Sequence, residues 1–184
     1  WRDPGNPKSG GAEKVMQKYA RYWRKIGHEV FWLSSRYTSL PVSENNYDLK
    51  THRVGPQLKF YNTWTMLLTY PFFLLNTIWI GWGIVRRRHI DLVVDAMHGL
   101  PLFSPMYARC RKVLWVCEVA DTIWDKMYPF PINWIGKILE KIVYLIYQSS
   151  EVWAISENTK KDILKINPNL HIKIIPLGVD AAKF

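Results

Sequence analysis

The sequence predicts an α/β fold in which a parallel sheet is flanked by helices on both faces. Short apolar runs rich in β-branched residues recur along the chain, and they alternate with amphipathic stretches whose apolar positions have helical spacing. Strands that alternate with helices in this way pair in parallel, because each helix carries the chain back across the sheet. The 184 residues, 48% of them hydrophobic, are sufficient to bury a substantial core.

The N-terminal half begins with a helix predicted over 12–26. Its apolar residues recur three and four positions apart, and Gly27 is a good residue to end it. Two short strands rich in β-forming residues are predicted next, over 29–33 and 50–54.

The C-terminal half contains four predicted strands. The runs 90–94 and 113–116 are almost continuously apolar, as expected of strands that are buried on both faces of a sheet. The other predicted elements are strands over 151–155 and 172–175, a helix over 132–147, and a helix over 157–164 that has Ser156 as its N-cap.

A glycine pair, Gly10 and Gly11, stands just before the first helix. Neither residue has a Cβ, so the backbone can come close to a ligand, and the amide groups of the helix start favour a phosphate. Ser9 is a candidate N-cap for this helix. Such a pair also occurs in ordinary turns. A phosphate loop normally follows a strand, and only residues 1–6 precede Pro7, so we expect the first strand of the sheet to be missing.

The segment 60–85 has 26 residues and no charged side chain, and Arg86, Arg87 and Arg88 follow it. Three interpretations stay open: a helix that spans a bilayer, a partly buried crossover helix or helix pair, or a crossover helix whose aromatic face touches a membrane with the arginines near anionic headgroups. A span would separate the strands on either side of it, so that they could not share one sheet. A crossover is therefore favoured.

The net charge indicates the kind of partner, and the cysteine content indicates the cellular compartment. The net charge of +10 implies an anionic partner: nucleic acid, acidic lipid or a phosphorylated substrate. Two cysteines without paired spacing are typical of a reduced, cytoplasmic compartment. No Cys/His spacing typical of zinc and no Gly-Lys-Ser/Thr phosphate loop is present, so the residues themselves indicate no metal and no cofactor site of these two kinds.

Polar residues follow the predicted strands, where an open α/β sheet binds its ligands. Asp95 and His98 follow the strand at 90–94, and Glu118 and Asp121 follow the strand at 113–116. Each has a second interpretation. His98 is equally typical of a surface loop, Glu118 of a solvated loop, and Asp121 of a cap for the short helix that follows it.

Several motifs, in order, resemble glycosyltransferase family 4, a retaining group with the GT-B fold. Residues 7–14 read Pro-Lys-Ser-Gly-Gly-Ala-Glu-Lys, and the helix after them ends in Gly-His-Glu-Val at 27–30. The segment 152–164 is similar to the family's Ser-Glu-x-Thr-Lys junction, and 175–180 to its Ile-Pro-Asn-Gly-Val-Asp hinge.

The resemblance implies a Rossmann-like N-terminal half of a GT-B enzyme over 1–175, with 176–184 beginning the hinge to a second domain. In such enzymes the second domain binds a nucleotide-sugar donor, the Gly10–Gly11 loop faces the donor diphosphate, and the first domain binds a glycan or lipid-linked acceptor. Transfer requires no metal and no protein nucleophile.

The chain departs from the family pattern in three ways. The Glu-x7-Glu motif of the donor domain is absent from these residues, so this chain alone is expected to be inactive. Cys117 stands where the family often has a histidine, which makes Glu118, Asp121 and His98 the candidate catalytic contacts. Leu177 replaces the usual hinge asparagine.

A cytoplasmic location follows from this interpretation, with peripheral contact to an anionic membrane through Arg86, Arg87 and Arg88. Two other classes of protein stay open. One is a basic nucleic-acid-binding module, although no nucleic-acid-binding signature occurs and we expect no such partner. The other is a membrane-anchored scaffold built on 60–85.

Overall fold

A computed structural model of the protein describes residues 2–7, 9–37, 40–46, 49–56, 63–97 and 99–177. The chain divides into two compact units, Trp1–Ile90 and Asp91–Phe184.

Among its described residues, the first unit contains a three-stranded sheet and two helices. The strand order is β1-β3-β2, in which β1 and β3 are parallel, with Leu33 opposite His52, and β2 is antiparallel to β3. The strand β2 is a finding that the sequence analysis missed, because its residues, Ser-Glu-Asn-Asn, have weak β-propensity and are held by pairing with β3. The elements are α1 (Gly11–Lys25), β1 (Phe31–Ser35), β2 (Ser43–Asn46), β3 (Leu49–Val54) and α2 (Thr63–Arg87).

A buried ion pair fixes the N-terminal segment to this sheet. Arg53 on β3 donates from Nε and Nη2 to the two carboxylate oxygens of Asp3, each at 2.8 Å, and both side chains are about 1% exposed. Ser34 on β1 and the amide of Gly5 also donate to this carboxylate, at 2.9 Å each. The residues that lead to the glycine pair are therefore anchored to both β1 and β3.

From Thr63 onward, the segment predicted as a crossover belongs to one helix of 25 residues, α2, with Pro71 inside it. Residues 60–62 of that prediction lie outside the described residues. Helix α2 packs on β3, and Phe73 is fully buried beside Gly55. Gly55 has a φ of +80°, and a Cβ there would lie 2.8 Å from Cδ2 of Phe73, so a side chain would both strain the turn and displace the helix. Within the described ranges, no helix combines the length and the apolar character that crossing a membrane demands.

The second unit is built on a four-stranded sheet in which every strand is parallel to its neighbours, in the order β4-β5-β6-β7. Val94 lies opposite Val113, and Trp115 packs edge-on against Trp153 with ring centroids 5.8 Å apart. The prediction that 113–116 is buried on both faces is confirmed. The elements are β4 (Leu92–Met97), β5 (Arg111–Val116), α3 (Asp121–Met127), α4 (Ile132–Ile146), β6 (Glu151–Ala154), α5 (Glu157–Ile166) and β7 (Ile172–Ile174).

The predicted α/β class and the parallel sheet flanked by helices are thus confirmed, with two differences. The described strands form two sheets where the sequence analysis assumed one, and the first is mixed because of β2. The strand predicted over 29–33 lies at Phe31–Ser35, because the turn after α1 extends to His28 and two serines complete the strand. Ser34 and Ser35 are buried, and a pattern based on apolar residues omits them.

Candidate functional site

The glycine pair forms the N-terminus of α1. Gly10 is the N-cap residue, with extended backbone, and Gly11 is the first helical residue. The expectation that Ser9 caps the helix is therefore wrong. The carboxylate of Glu13 instead accepts the Gly10 amide at 2.7 Å, and the first helical bond runs from Lys14 to the Gly10 carbonyl. The amides of Gly11, Ala12 and Glu13 have no intrahelical acceptor, as at every helix start.

The fold itself does not require glycine at these two positions. Neither φ is positive. Among the described residues, a Cβ on Gly11 would meet no atom within 4 Å, and one on Gly10 would meet only Glu13 at 3.4 Å. Gly55 and Gly136 are different, because their surroundings leave no room for a side chain. The described packing of the chain therefore gives no reason for glycine at positions 10 and 11, whereas the close approach of a ligand to the backbone does.

The carboxyl ends of the four parallel strands lie along one edge of the second unit. The Cys117 amide donates to the Met97 carbonyl at 3.3 Å, so the segments after β4 and β5 leave the sheet side by side. The Ile175 amide similarly donates to the Ala154 carbonyl at 2.8 Å, beside the start of α5. Ser156 is the N-cap of α5, as predicted, and accepts the Thr159 amide at 3.1 Å.

The candidate residues after β5 occupy this edge. Glu118 is exposed in the segment before α3, Asp121 is exposed as the first residue of α3, and Cys117 is half-buried. Ala120 occupies the N-cap position of α3 and Asp121 is the first residue inside the helix, so the interpretation of Asp121 as the N-cap is wrong. His98 lies outside the described residues, immediately after Met97.

A buried carboxylate on α4 holds the start of α3 from within. Glu140 accepts the Ala120 amide at 2.8 Å and the Trp124 indole N–H at 3.1 Å. Burial raises the pKa of Glu140, and these hydrogen bonds offset part of that effect. Gly136, one turn earlier on α4, lets the helices approach, because a Cβ there would overlap the Trp124 ring at 2.4 Å. The backbone beside Glu118 and Asp121 is therefore held rigidly.

Asp95 has a structural role instead of the predicted place at an open site. The strand predicted over 90–94 lies at Leu92–Met97, so Asp95 is buried inside β4, opposite Leu114. It accepts hydrogen bonds from the amides of Leu102 at 2.8 Å and Ser104 at 2.9 Å and from the hydroxyl of Tyr147. Burial raises the pKa of Asp95, and the hydrogen bonds from Tyr147 and the two amides act in the opposite direction. Asp95 fixes the segment after β4, so it is not available to a ligand.

The sequence contains a signal for the buried role of Glu140. Glu140 falls on the apolar face of its helix, at the spacing of Ile132 and Gly136, and a lone carboxylate on such a face implies an internal donor. No comparable signal marked Tyr147. Within the described ranges, no group of three or more His, Cys, Asp or Glu side chains could hold a metal.

The first unit also has a shallow depression of about 280 Å³ at the other end of α1, lined by Arg24, Gly27, His28, Glu29 and Lys50. Its residues stand before β1 and at the start of β3. The depression is therefore at the opposite end of these strands from the end where α/β sheets bind their ligands.

A parallel sheet flanked by helices, with polar loops at its carboxyl edge, defines a Rossmann-like α/β domain of the kind that forms half of a GT-B enzyme. The sequence matches the family model described as Glycosyltransferase Family 4 over residues 9–183. The chain belongs to this family, and it is therefore a glycosyltransferase domain. The comparison with curated proteins finds no similar sequence.

Proposed function

We propose that this chain is the acceptor-side half of a retaining enzyme that transfers a sugar from a nucleotide-sugar donor to a glycan or lipid-linked acceptor. In this proposal residues 1–175 form the N-terminal domain, and 176–184 begin the hinge to a donor-binding domain. The observation that carries the proposal is the glycine pair at the start of α1 in a chain of this family.

The donor diphosphate is the ligand that best suits the glycine pair. The helix start presents the amides of Gly11 and Ala12 together with the positive end of the helix dipole. Glu13 already takes the Gly10 amide, so these two amides are the ones we assign to a phosphate oxygen. The charge of the diphosphate is met by backbone groups, which supports a mechanism without a metal.

Replacing Gly11 by valine is expected to lower turnover of the full-length enzyme roughly 100-fold, because the branched side chain would hold the diphosphate away from the amides. Since no atom of the described part of the chain lies within 4 Å of a Cβ at this position, the thermal stability should not change. Steady-state kinetics and a melting curve measure the two effects. Lys18→Val, at an exposed position on the same helix, is the control and should retain turnover. Wild-type turnover in Gly11→Val would contradict the assignment.

For the acceptor, we propose that Glu118 and Asp121 accept hydrogen bonds from its hydroxyl groups. Both carboxylates are exposed beside the carboxyl edge of the sheet, on backbone that Glu140 holds. His98 is the next candidate, because it directly follows β4 and the ends of β4 and β5 are adjacent.

Alanine at Glu118 or Asp121 is expected to lower kcat/KM for the acceptor by about tenfold or more in the full-length enzyme, the effect of losing a hydrogen bond to a charged group. The melting temperature should stay unchanged. Asp125→Ala is a matched control, because it removes an exposed carboxylate from the same helix, where Asp125 pairs with Lys137 instead. Equal kinetics for all three variants would mean that the acceptor binds elsewhere.

We also propose that the protein works at the inner face of a membrane, in peripheral contact with anionic lipid through Arg86, Arg87 and Arg88. All three arginines are exposed at the end of α2, and the net charge of +10 has the sign that such a surface attracts.

A further inference from the structure

The exposed face of α2 is as apolar as its packed face. Phe72, Leu75, Trp79 and Trp82 are all exposed, and Trp79 retains 75% of its accessible surface. At 100° per residue these four positions and Arg86 lie within about 80° of arc, so they form one stripe along the helix. The packed side, marked by the buried residues Phe73, Thr77 and Gly81, is centred opposite it. We name the four apolar residues and Arg86 the α2 stripe.

We propose that the α2 stripe docks on a membrane surface that contains anionic lipid, with α2 lying in the plane of the interface. A helix that is apolar all round is normally buried on every side, so a partner is expected to cover the exposed stripe. Aromatic side chains suit the headgroup region, because tryptophan combines a large apolar ring with one polar N–H.

The charge of the surroundings selects anionic lipid as the partner. No acidic residue occurs between Asp48 and Asp91, whereas Arg86, Arg87 and Arg88 follow the stripe directly. The Arg86 guanidinium lies over the Trp82 ring, 5.4 Å from its centroid, so the charge and the aromatic surface belong to one patch. The Arg88 guanidinium lies over the Phe31 ring of β1 instead, at 5.6 Å. Docking of the α2 stripe rests on the peripheral membrane contact proposed above, to which it adds the apolar side chains, and it does not depend on the transfer reaction.

The second unit supplies a comparison surface. Its helix α4 exposes Trp134, Ile142 and Leu145, with Phe130 in the preceding loop. Nothing in the structure indicates what covers this face. Trp134 is therefore a matched control for Trp79, since both are exposed tryptophans on a helix.

The test is co-sedimentation of the full-length protein with vesicles of phosphatidylcholine mixed with phosphatidylglycerol, and with vesicles of phosphatidylcholine alone. Wild type should bind the acidic vesicles preferentially, and raised salt should weaken but not abolish binding, because salt screens only the charge contribution. Trp79→Ser/Trp82→Ser should bind at least roughly tenfold more weakly, since two interfacial rings are lost. Arg86→Gln should bind about fivefold more weakly.

Trp134→Ser and Lys165→Gln should bind as wild type does, and the melting temperatures of all variants should agree, because every altered side chain is exposed. Should the double variant fail to fold, Trp79→Gln alone is expected to show a smaller loss of binding. Equal binding of acidic vesicles by wild type and Trp79→Ser/Trp82→Ser would overturn this proposal, while a loss in Arg86→Gln alone would still support the arginine contact proposed above. No binding of acidic vesicles by wild type would overturn both. Equal losses at Trp134 and Trp79 would also overturn this proposal, as would a wild-type protein that binds no vesicles and forms a dimer that Trp79→Ser/Trp82→Ser converts to a monomer.

Discussion

Replacing Arg53 by alanine is expected to destabilise the protein by about 3–5 kcal/mol, because the carboxylate of Asp3 would be left buried without its counter-charge. Both side chains are about 1% exposed, and Arg53 donates two hydrogen bonds to Asp3. A loss of this size is a large fraction of the stability of an ordinary domain. Urea unfolding of wild type and variant at neutral pH measures it.

Two further variants separate the buried charge from the lost contacts. Lys165→Ala removes an exposed ion pair with Asp162 and should cost less than about 1 kcal/mol. Adding Asp3→Asn to Arg53→Ala should recover part of the loss, because the uncompensated charge is then gone. If Arg53→Ala costs no more than Lys165→Ala, the ion pair does not anchor the N-terminal segment.

The same pair has a pH signature. Burial alone would raise the pKa of Asp3, but the hydrogen bonds from Arg53 and Ser34 outweigh it, so the pKa is lower than usual. A carboxylate with a lowered folded-state pKa contributes stability above its unfolded pKa of about 3.9 and loses it as the pH falls through the folded value. The gap between wild type and Arg53→Ala should therefore be widest near neutral pH and narrow in acid.

The sequence predicted those elements in which the residue types along the chain match the environment that the fold gives them. The run Val113–Val116 is apolar throughout and is buried throughout, and Ser156 caps α5 as its position before a helical pattern indicated. In both cases the residue type alone determines the environment, because an apolar strand has to be covered and a serine oxygen suits a helix start.

The predictions that were wrong or incomplete concern residues whose environment is determined by contacts with residues distant in sequence. Strand β2 has no apolar pattern and is held by its pairing with β3. The hydroxyl of the buried Ser34 donates a hydrogen bond to Asp3, 31 residues away in the sequence. Asp95 was interpreted as a site carboxylate because it follows a strand. Its donors at 102, 104 and 147 give it a structural role instead, and spacing along the chain does not reveal them.

At the candidate site, the sequence located the segment but not what supports it. Glu118 and Asp121 are exposed at the predicted sheet edge, whereas the group that holds their backbone, Glu140, lies 20 residues after Ala120. Rigid support of this kind matters in a binding site, because a carboxylate displaced by 1 Å loses much of its hydrogen-bond energy. The support can be tested separately from the contacts.

Replacing Glu140 by alanine is expected to cost about 3–5 kcal/mol, since the Ala120 amide and the Trp124 indole would each lose a buried acceptor. Glu140→Gln retains one acceptor oxygen and should lose about 1–3 kcal/mol, the effect of one unsatisfied donor. Lys141→Ala changes the exposed neighbouring residue and should stay within about 0.5 kcal/mol of wild type. Thermal and urea unfolding rank the three variants.

Glu140→Gln also tests whether Glu140 holds the start of α3 through its hydrogen bonds or only packs between α3 and α4. Because burial raises the pKa of Glu140, its contribution to stability is complete below the unfolded pKa and declines as the pH rises through the folded value. The gap between wild type and Glu140→Gln should therefore be widest in mild acid. In the full-length enzyme, Glu140→Gln should also lower kcat/KM for the acceptor at a temperature where the protein is folded, because the segment bearing Glu118 and Asp121 is loosened. Unchanged kinetics together with a flat pH profile would show that Glu140 only fills space between α3 and α4.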